Sequence, residues 1–180
     1  MSSNYVQPIN SHSPSDQDLS QNIVFEPIED RRLWRAEQIL MADWFADESA
    51  DGRILRPGFA MDRLAPLIGF IHKLEASEDK SDFRYKIYGG RVAEFSNMDL
   101  TGHWISHLKT VHREAFLNHY LSIVENPAPF IGLVHIEGDG LSEHDWYRVV
   151  LPIGTSIDAV TGMLVLALPM SAAGLSGGTS

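Results

Sequence analysis

The sequence predicts an α+β domain: one five-stranded antiparallel sheet with helices on one face and an extra helix at the N-terminal side. Two observations lead to this prediction. Phe83, Tyr85 and Ile87 alternate with Arg84 and Lys86, which is the period of a half-buried strand. Along the chain, two strand patterns are followed by a helical stretch and then by three more strand patterns, an order typical of α+β domains. The length of 180 residues suits one such domain with tails.

The chain divides by composition into an arm, a domain and a tail. Residues 1–28 begin with a stretch rich in Ser, Asn, Gln, Asp and Pro, and we expect a disordered N-terminal arm because such a segment buries little apolar surface. Residues 29–170 carry the periodic patterns and form the predicted domain. Residues 171–180, mostly Ser, Gly and Ala, are predicted to be a flexible tail.

The remaining elements follow from periodicity and turn residues. Apolar residues at spacings of three and four predict an N-terminal helix over residues 29–47, which ends before Asp51-Gly52. Thr110 is predicted to be the N-cap of a second long helix, which Asn126-Pro127 would stop. The other expected elements are short helices at 62–66 and 91–95 and strands at 68–74, 83–87, 130–137, 146–153 and 163–169.

Charge and composition argue against several partners. The formal net charge is −10, and such a chain repels phosphate backbones and anionic lipid headgroups, so we expect no nucleic-acid and no membrane partner. No apolar run approaches the roughly 20 residues of a membrane helix, and the polar N-terminus does not have the pattern of a secretory signal. Cysteine is absent, which fits a reducing compartment. Together these features predict a cytoplasmic protein.

A motif follows the alternating strand. The segment YKIYGGRVAEFSNMDLTGHWISHL places an aromatic-basic strand end, a glycine, an Arg-hydrophobic helix start and Asp-Leu-Thr-Gly in succession, at Tyr85, Lys86, Gly89, Arg91, Val92, Asp99, Leu100, Thr101 and Gly102. This segment resembles a short stand-alone PAS subfamily common in alphaproteobacteria. Leu33-Trp34 and Leu55-Arg56-Pro57 fit the same pattern. The resemblance implies a PAS-like sheet, a sensory role and a central cavity walled by this stretch.

Within the motif, the glycines have an expected structural role. Gly89 and Gly90 are predicted to turn the strand sharply into a helix, because glycine reaches positive φ at little cost. Asp99 is expected to bind nearby backbone N–H groups and hold its loop. Gly89-Gly90-Arg91 has neither a G-x-G-x-x-G nor a P-loop pattern, so it does not predict a phosphate site.

No set of residues predicts catalysis. Asp139, Glu143 and Asp145 flank a predicted turn with His144 between them, and a charged hairpin loop explains them more simply than acid–base chemistry does. Nothing nearby supplies a nucleophile or an oxyanion hole. We therefore expect a non-catalytic protein with no catalytic residues.

Histidines are the remaining candidates for a cofactor or metal. The cluster of His103, His107, His112 and His119 includes pairs at helical spacing, and the resemblance allows a haem-binding PAS sensor as an alternative. Ordinary polar positions on a solvated helix or loop explain the same residues, and Trp104 stands where H-E-x-x-H requires Glu. We predict no metal site and no required cofactor.

A small-molecule pocket needs an apolar lining and a few polar groups. The predicted ligand-binding residues are Tyr85, Trp104, His107, Tyr120 and Arg148, although large aromatic residues are more often plain core. Arg148 alternates with Tyr147 and Val149, so a position facing solvent or a dimer partner is the alternative.

The N-terminal helix carries apolar residues on two adjacent faces. Covering one sheet would use one face, so Trp34, Leu40, Met41 and Trp44 are predicted as a homodimer interface. The alternative is that both faces are buried against the helix's own domain.

The expected function is a non-catalytic sensory PAS module that acts through ligand-tuned protein–protein interaction or homodimerisation. Its expected partners are a protein, a small-molecule ligand or a second copy of the chain. The alternative from another class is a small α+β enzyme or ligand-binding protein of the cone-shaped isomerase-like class, which also surrounds a pocket with helices and a curved sheet.

Overall fold

The computed structural model describes residues 23–49, 51–110, 112–136 and 145–171. Residues 1–22 of the predicted arm and residues 172–180 of the predicted tail lie outside this range. So do Asp139, Glu143 and His144 of the acidic group considered above.

The described residues form helices and strands close to the predicted ones. The α-helices are α1 (Ala36–Glu48), α2 (Gly90–Ser96) and α3 (Arg113–Glu125). The strands are β1 (Ile23–Pro27), β2 (Ile71–Ala76), β3 (Phe83–Ile87), β4 (Phe130–Ile136), β5 (Trp146–Gly154) and β6 (Val160–Pro169). Turns of 3-10 helix lie at Arg31–Leu33, Asp62–Phe70 and Ile105–His107.

The described strands form one antiparallel sheet of six strands in the order β1-β4-β5-β6-β2-β3. The prediction of five strands missed β1, which lies in residues assigned to the disordered arm. Strand β1 pairs with β4 from Ile23 opposite Ile136 to Pro27 opposite Gly132. Gly132 permits this close pairing, because a Cβ atom there would lie 2.1 Å from the carbonyl oxygen of Glu26.

The sheet is covered on both faces, so the prediction of helices on one face is wrong. On one face, α1 and the 3-10 helix at Asp62–Phe70 pack Met41 and Leu64 against Val149 and Leu166. On the other face, α3 packs Tyr120 and Ile123 against Val150 and Val165 with Ile105 beside them. The physical reason is visible in β5 and β6, whose apolar residues run without alternation, since strands covered on both faces bury every side chain.

Helix α1 is tied to the sheet by a buried glutamine. The amide Nε2 of Gln38 donates to the carbonyl oxygens of Gly132 at 3.0 Å and Arg148 at 3.1 Å. Its Oε1 accepts the backbone N–H of Arg35 at 3.0 Å, which helps to cap the start of the helix. The helix therefore begins later than the predicted residue 29, after the separate 3-10 turn at Arg31–Leu33.

The segment between β3 and α3 turns as the motif suggested, but for a different reason at Gly89. Its φ is −59°, so positive φ is not why glycine stands there. A Cβ at Gly89 would instead lie 2.5 Å from the carbonyl oxygen of Gly69, while one at Gly90 would meet nothing within 4 Å. Gly102 does take a positive φ of 84°, and Asp99 accepts the backbone N–H of Thr101 at 2.9 Å. No described helix is long and apolar enough to cross a membrane.

Candidate ligand cavity beside Arg148

A cavity of about 460 Å³ lies between the sheet face that carries α3 and the segment that joins β3 to α3. That volume is in the range typical of small-molecule sites. Much of the lining is apolar or aromatic, and this part includes the side chains of Val92, Met98, Leu100, Leu108, Phe116 and Trp146.

Small neighbours on the sheet leave space around Arg148. Arg148 lies opposite Gly132 on β4 and opposite Ala167 on β6. Directly opposed residues of an antiparallel pair place their side chains on the same face. The side chain of neither neighbour is larger than a methyl group. The space above these two residues is therefore filled in part by the long side chain of Arg148, and the rest of it belongs to the cavity.

The guanidinium of Arg148 is buried, and no carboxylate among the described residues pairs with it. Arg148 is 5% exposed and lines the cavity. Its Nη2 donates to the hydroxyl of Tyr120, and its Nε has no hydrogen-bond partner among the described residues. The ring centroids of Phe116 and Tyr120 lie 4.9 and 5.9 Å from its Cζ, so cation–π contacts partly stabilise the buried charge. A buried charge in this state is costly, since burial removes its hydration.

A histidine between two tyrosines forms a second polar part of the wall. His72 of β2 is 3% exposed, and its Nδ1 accepts the backbone N–H of Gly89 at 3.0 Å. Its ring stacks on Tyr88 with centroids 4.1 Å apart and meets Tyr85 edge-on at 5.7 Å. Burial, with a smaller effect from the positive charge of Arg148, lowers the pKa of His72 to about 3, so the ring is neutral.

His112 is a third buried polar group of the lining. It is 4% exposed, it is the N-cap residue of α3, and neither ring nitrogen has a hydrogen-bond partner among the described residues. The N-terminal end of a helix carries partial positive charge. The wall around His112 therefore offers an unused ring donor or acceptor beside a site that favours negative charge.

The lining differs in charge from the chain as a whole. The protein has a net charge of −10, but the ionisable lining groups are mostly basic: Arg148, Lys109 and four histidines. Among the described lining residues Asp99 is the single carboxylate, and it accepts the backbone N–H of Thr101. Arg148 and Lys109 outnumber Asp99 among the charged side chains of the described lining, so the cavity carries a small excess of positive charge in an acidic protein.

The structure brings three of the five predicted ligand-binding residues together. Tyr85, His107 and Arg148 line the cavity, and Arg148 faces neither open solvent nor a partner. Tyr120 is completely buried and reaches the site through its hydrogen bond to Arg148. Trp104 does not line the cavity; it lies beside the edge strand β3, where its ring is 5.4 Å from the guanidinium carbon of Arg84.

Sequence reasoning missed His72, Tyr88 and the buried position of His112. His72 belongs to a strand whose alternation is weak, so its direction could not be read from the sequence. Tyr88 directly precedes the Gly89-Gly90 turn, and that position was the available indication that it borders the cavity. His112 was noted for its spacing from His119, which indicates a shared helix face rather than burial. No group of three described His, Asp or Glu residues is arranged to hold a metal ion.

The predicted dimer interface is corrected for two of its four residues. Met41 and Trp44 are 0% exposed and belong to the core between α1 and the sheet, so neither has surface for a partner. Trp44 also donates its Nε1–H to the carbonyl oxygen of Ala60 at 2.9 Å. Trp34 and Leu40 are half-buried, and Trp34 donates to the carbonyl oxygen of Ile28 at 2.7 Å. Both faces of the helix are used mainly within the domain.

Comparison with known proteins identifies no relative: no family model, no curated protein and no solved structure matches this chain.

Proposed function

We propose that this chain is a non-catalytic sensory module of the PAS type, in which a small organic ligand occupies the cavity beside Arg148. Binding would change how the chain meets a protein partner or a second copy of itself. The observation that carries the proposal is the cavity itself, which is bounded by the sheet on one side and by the segment from β3 to α3 on the other.

The element order supports the PAS assignment. Strands β2 and β3 precede a stretch with α2, a 3-10 turn and α3, and strands β4 to β6 follow. Apart from β1, this is the succession of elements that the resemblance implied. The proposal is further supported by the motif segment, which contributes Tyr85, Tyr88, Val92, Asp99 and Leu100 to the cavity lining.

A sensory role requires that the ligand favour one conformation over another. The cavity joins two parts of the fold: Arg148 belongs to β5, and Tyr120, its hydrogen-bond partner, belongs to α3. A ligand that contacts the guanidinium and the wall near His112 would bias the position of α3 on the sheet. Helix α3 also contacts the added strand β1 through Phe25 and His119, so the bias would extend to β1.

Binding of a neutral fluorescent probe tests whether the cavity accepts organic molecules. N-phenylnaphthylamine should bind the wild-type chain with saturable, one-to-one fluorescence enhancement. Ala167→Leu would fill the cavity beside Arg148 and should weaken this binding at least tenfold, whereas the exposed substitution Thr161→Val should leave it unchanged. The absence of saturable binding, or equal binding by Ala167→Leu, would contradict the proposal.

Hydrogen exchange then tests the sensory part. Occupancy of the cavity should slow exchange in α3 and β1 more than in β2, which is anchored between two strands. Probe binding that leaves exchange in α3 and β1 unchanged would show a binding cavity without a conformational response.

A further inference from the structure

We propose that the cavity ligand is an amphipathic organic carboxylate, whose acid group pairs with Arg148 and whose apolar body lies against Phe116, Trp146, Met98 and Leu108. This inference deepens the proposed function and rests on it, because it names the chemical class of the ligand for the same cavity. It comes from the state of one side chain, the buried guanidinium.

Arg148 is built to receive an anion. The guanidinium presents five N–H donors in a planar fork that matches a carboxylate in two-point contact. In the part of the chain that the structure describes, only the Tyr120 hydroxyl accepts from it, and the Nε donor is unused. A carboxylate in the cavity would supply the opposite charge and the missing acceptors, which is the strongest form of protein hydrogen bond.

The surroundings favour a negative group at the same place. Lys109, His103, His107 and His112 line the cavity with Arg148, and the α3 N-terminus begins after His112. Helix N-termini stabilise anions through their N–H groups and dipole. The one acidic side chain in the described lining, Asp99, is engaged with its own loop. A cationic ligand would meet Arg148 and Lys109 with like charge, against Asp99 as the single carboxylate of the described lining.

The rest of the wall requires an apolar body. Phe116 lies over the guanidinium carbon at 4.9 Å, and Trp146, Val92, Leu100 and Leu108 continue the surface away from Arg148. Small inorganic anions would satisfy Arg148 and leave this surface in contact with water. An alkyl or aryl chain ending in a carboxylate satisfies both parts at once, since burial of apolar area adds favourable free energy.

The test compares acids with their neutral amides on the full-length chain. Octanoate, decanoate and phenylbutanoate, each beside its primary amide, are titrated by isothermal calorimetry at neutral pH. We expect at least one acid to bind about tenfold to a hundredfold more tightly than its amide, the range expected for a charge-assisted contact. Equal affinities of acid and amide would overturn the inference, although amide binding would still support the ligand cavity. No binding of either kind, together with no binding of the neutral fluorescent probe, would overturn the proposed function itself.

Variants assign the preference to Arg148. Arg148→Met should retain amide binding and abolish the preference for acids, and Arg148→Lys should retain part of that preference because it keeps charge without the planar fork. Arg56→Met, a matched substitution of an exposed arginine, should leave the preference intact. A preference for acids that persists in Arg148→Met would place the anion site elsewhere. Should Arg148→Met fail to fold, the acid–amide comparison in the wild-type chain still decides the ligand class.

Discussion

The ring of Phe25 in β1 stacks on the imidazole of His119 in α3, with ring centroids 4.0 Å apart and planes within 12° of each other. Phe25 also meets Phe116 edge-on at 5.6 Å. These contacts therefore pack the edge strand β1 against α3, the helix that borders the cavity. Burial, followed in size by the charge of Arg148, lowers the pKa of His119 to about 3, so a neutral imidazole takes part in the stack.

Removing the Phe25 ring should release β1. Phe25→Ala is expected to lower the free energy of unfolding by about 1–3 kcal/mol, since the ring is half-buried and loses aromatic contacts. Urea unfolding measures the loss, and hydrogen exchange should accelerate first in residues 23–28. Val24→Ala, on the exposed side of the same strand, should change the free energy by less than about 0.5 kcal/mol. Equal effects of the two substitutions would show that the stack contributes nothing specific.

Gly89 and Gly90, the two adjacent glycines after β3, allow a controlled comparison of the same substitution in a crowded and in an open position. Gly89→Ala should destabilise the protein by about 1–3 kcal/mol, because the new Cβ would lie 2.5 Å from the Gly69 carbonyl oxygen and 3.0 Å from the Ile71 nitrogen, both backbone atoms. Gly90→Ala has open space and begins α2, so it should be neutral or stabilising by up to about 1 kcal/mol. Thermal unfolding of the two variants checks this difference. Similar melting temperatures would mean that the backbone at Gly89 moves freely.

Acid should destabilise the fold through His72 and His119, whose rings are neutral in the folded chain. The pKa of His72 and of His119 is about 3 in the folded chain, against about 6.5 in an unfolded one. The unfolded state therefore binds more protons between these values, and stability falls as the pH drops below about 6.5. Urea unfolding across this range should show a shallower loss for His72→Gln than for the wild type. The exposed substitution His103→Gln should keep the wild-type slope, and an unchanged slope in His72→Gln would contradict the assignment.

His135 should stabilise the fold more at low pH than at high pH, which is the opposite of the effect of His72 and His119. Its Nε2 lies 2.9 Å from Glu26 of β1 and its Nδ1 2.9 Å from Asp145, and hydrogen bonds to these two carboxylates, Glu26 first, raise its pKa. Because the pKa of His135 is higher in the folded chain, its two contacts stabilise the fold fully below the unfolded-state pKa of about 6.5. This stabilisation is lost as the pH rises through the folded-state pKa. The protection factors of the β1 amides, which correct for the base-catalysed rise of intrinsic exchange, should therefore fall above neutral pH. His135→Gln should remove this dependence, and NMR titration of His135 below its ordinary pKa would contradict it.

Much of the secondary structure could be predicted because it depends on local pattern. The alternation of Phe83 and Tyr85 with charged neighbours placed β3 at its observed bounds, and Asn126-Pro127 placed the end of α3 correctly. The continuous apolar runs of β5 and β6 already indicated that helices cover both faces, although the prediction placed them on one. Strand β1 was missed because five residues beside a polar segment carry little periodicity.

Some features of the candidate site could likewise be predicted from the sequence, and others depended on the tertiary structure. Residue type and spacing were enough to nominate Tyr85, His107 and Arg148, since aromatic and charged residues near the motif suit a pocket. Which side of the sheet Arg148 faces, and that Gly132 and Ala167 flank it, depended on strand register across distant parts of the chain. The same holds for Met41 and Trp44, whose burial depends on the sheet face beneath α1. Local sequence determines which elements form, whereas long-range pairing decides which side chains share a cavity or a core.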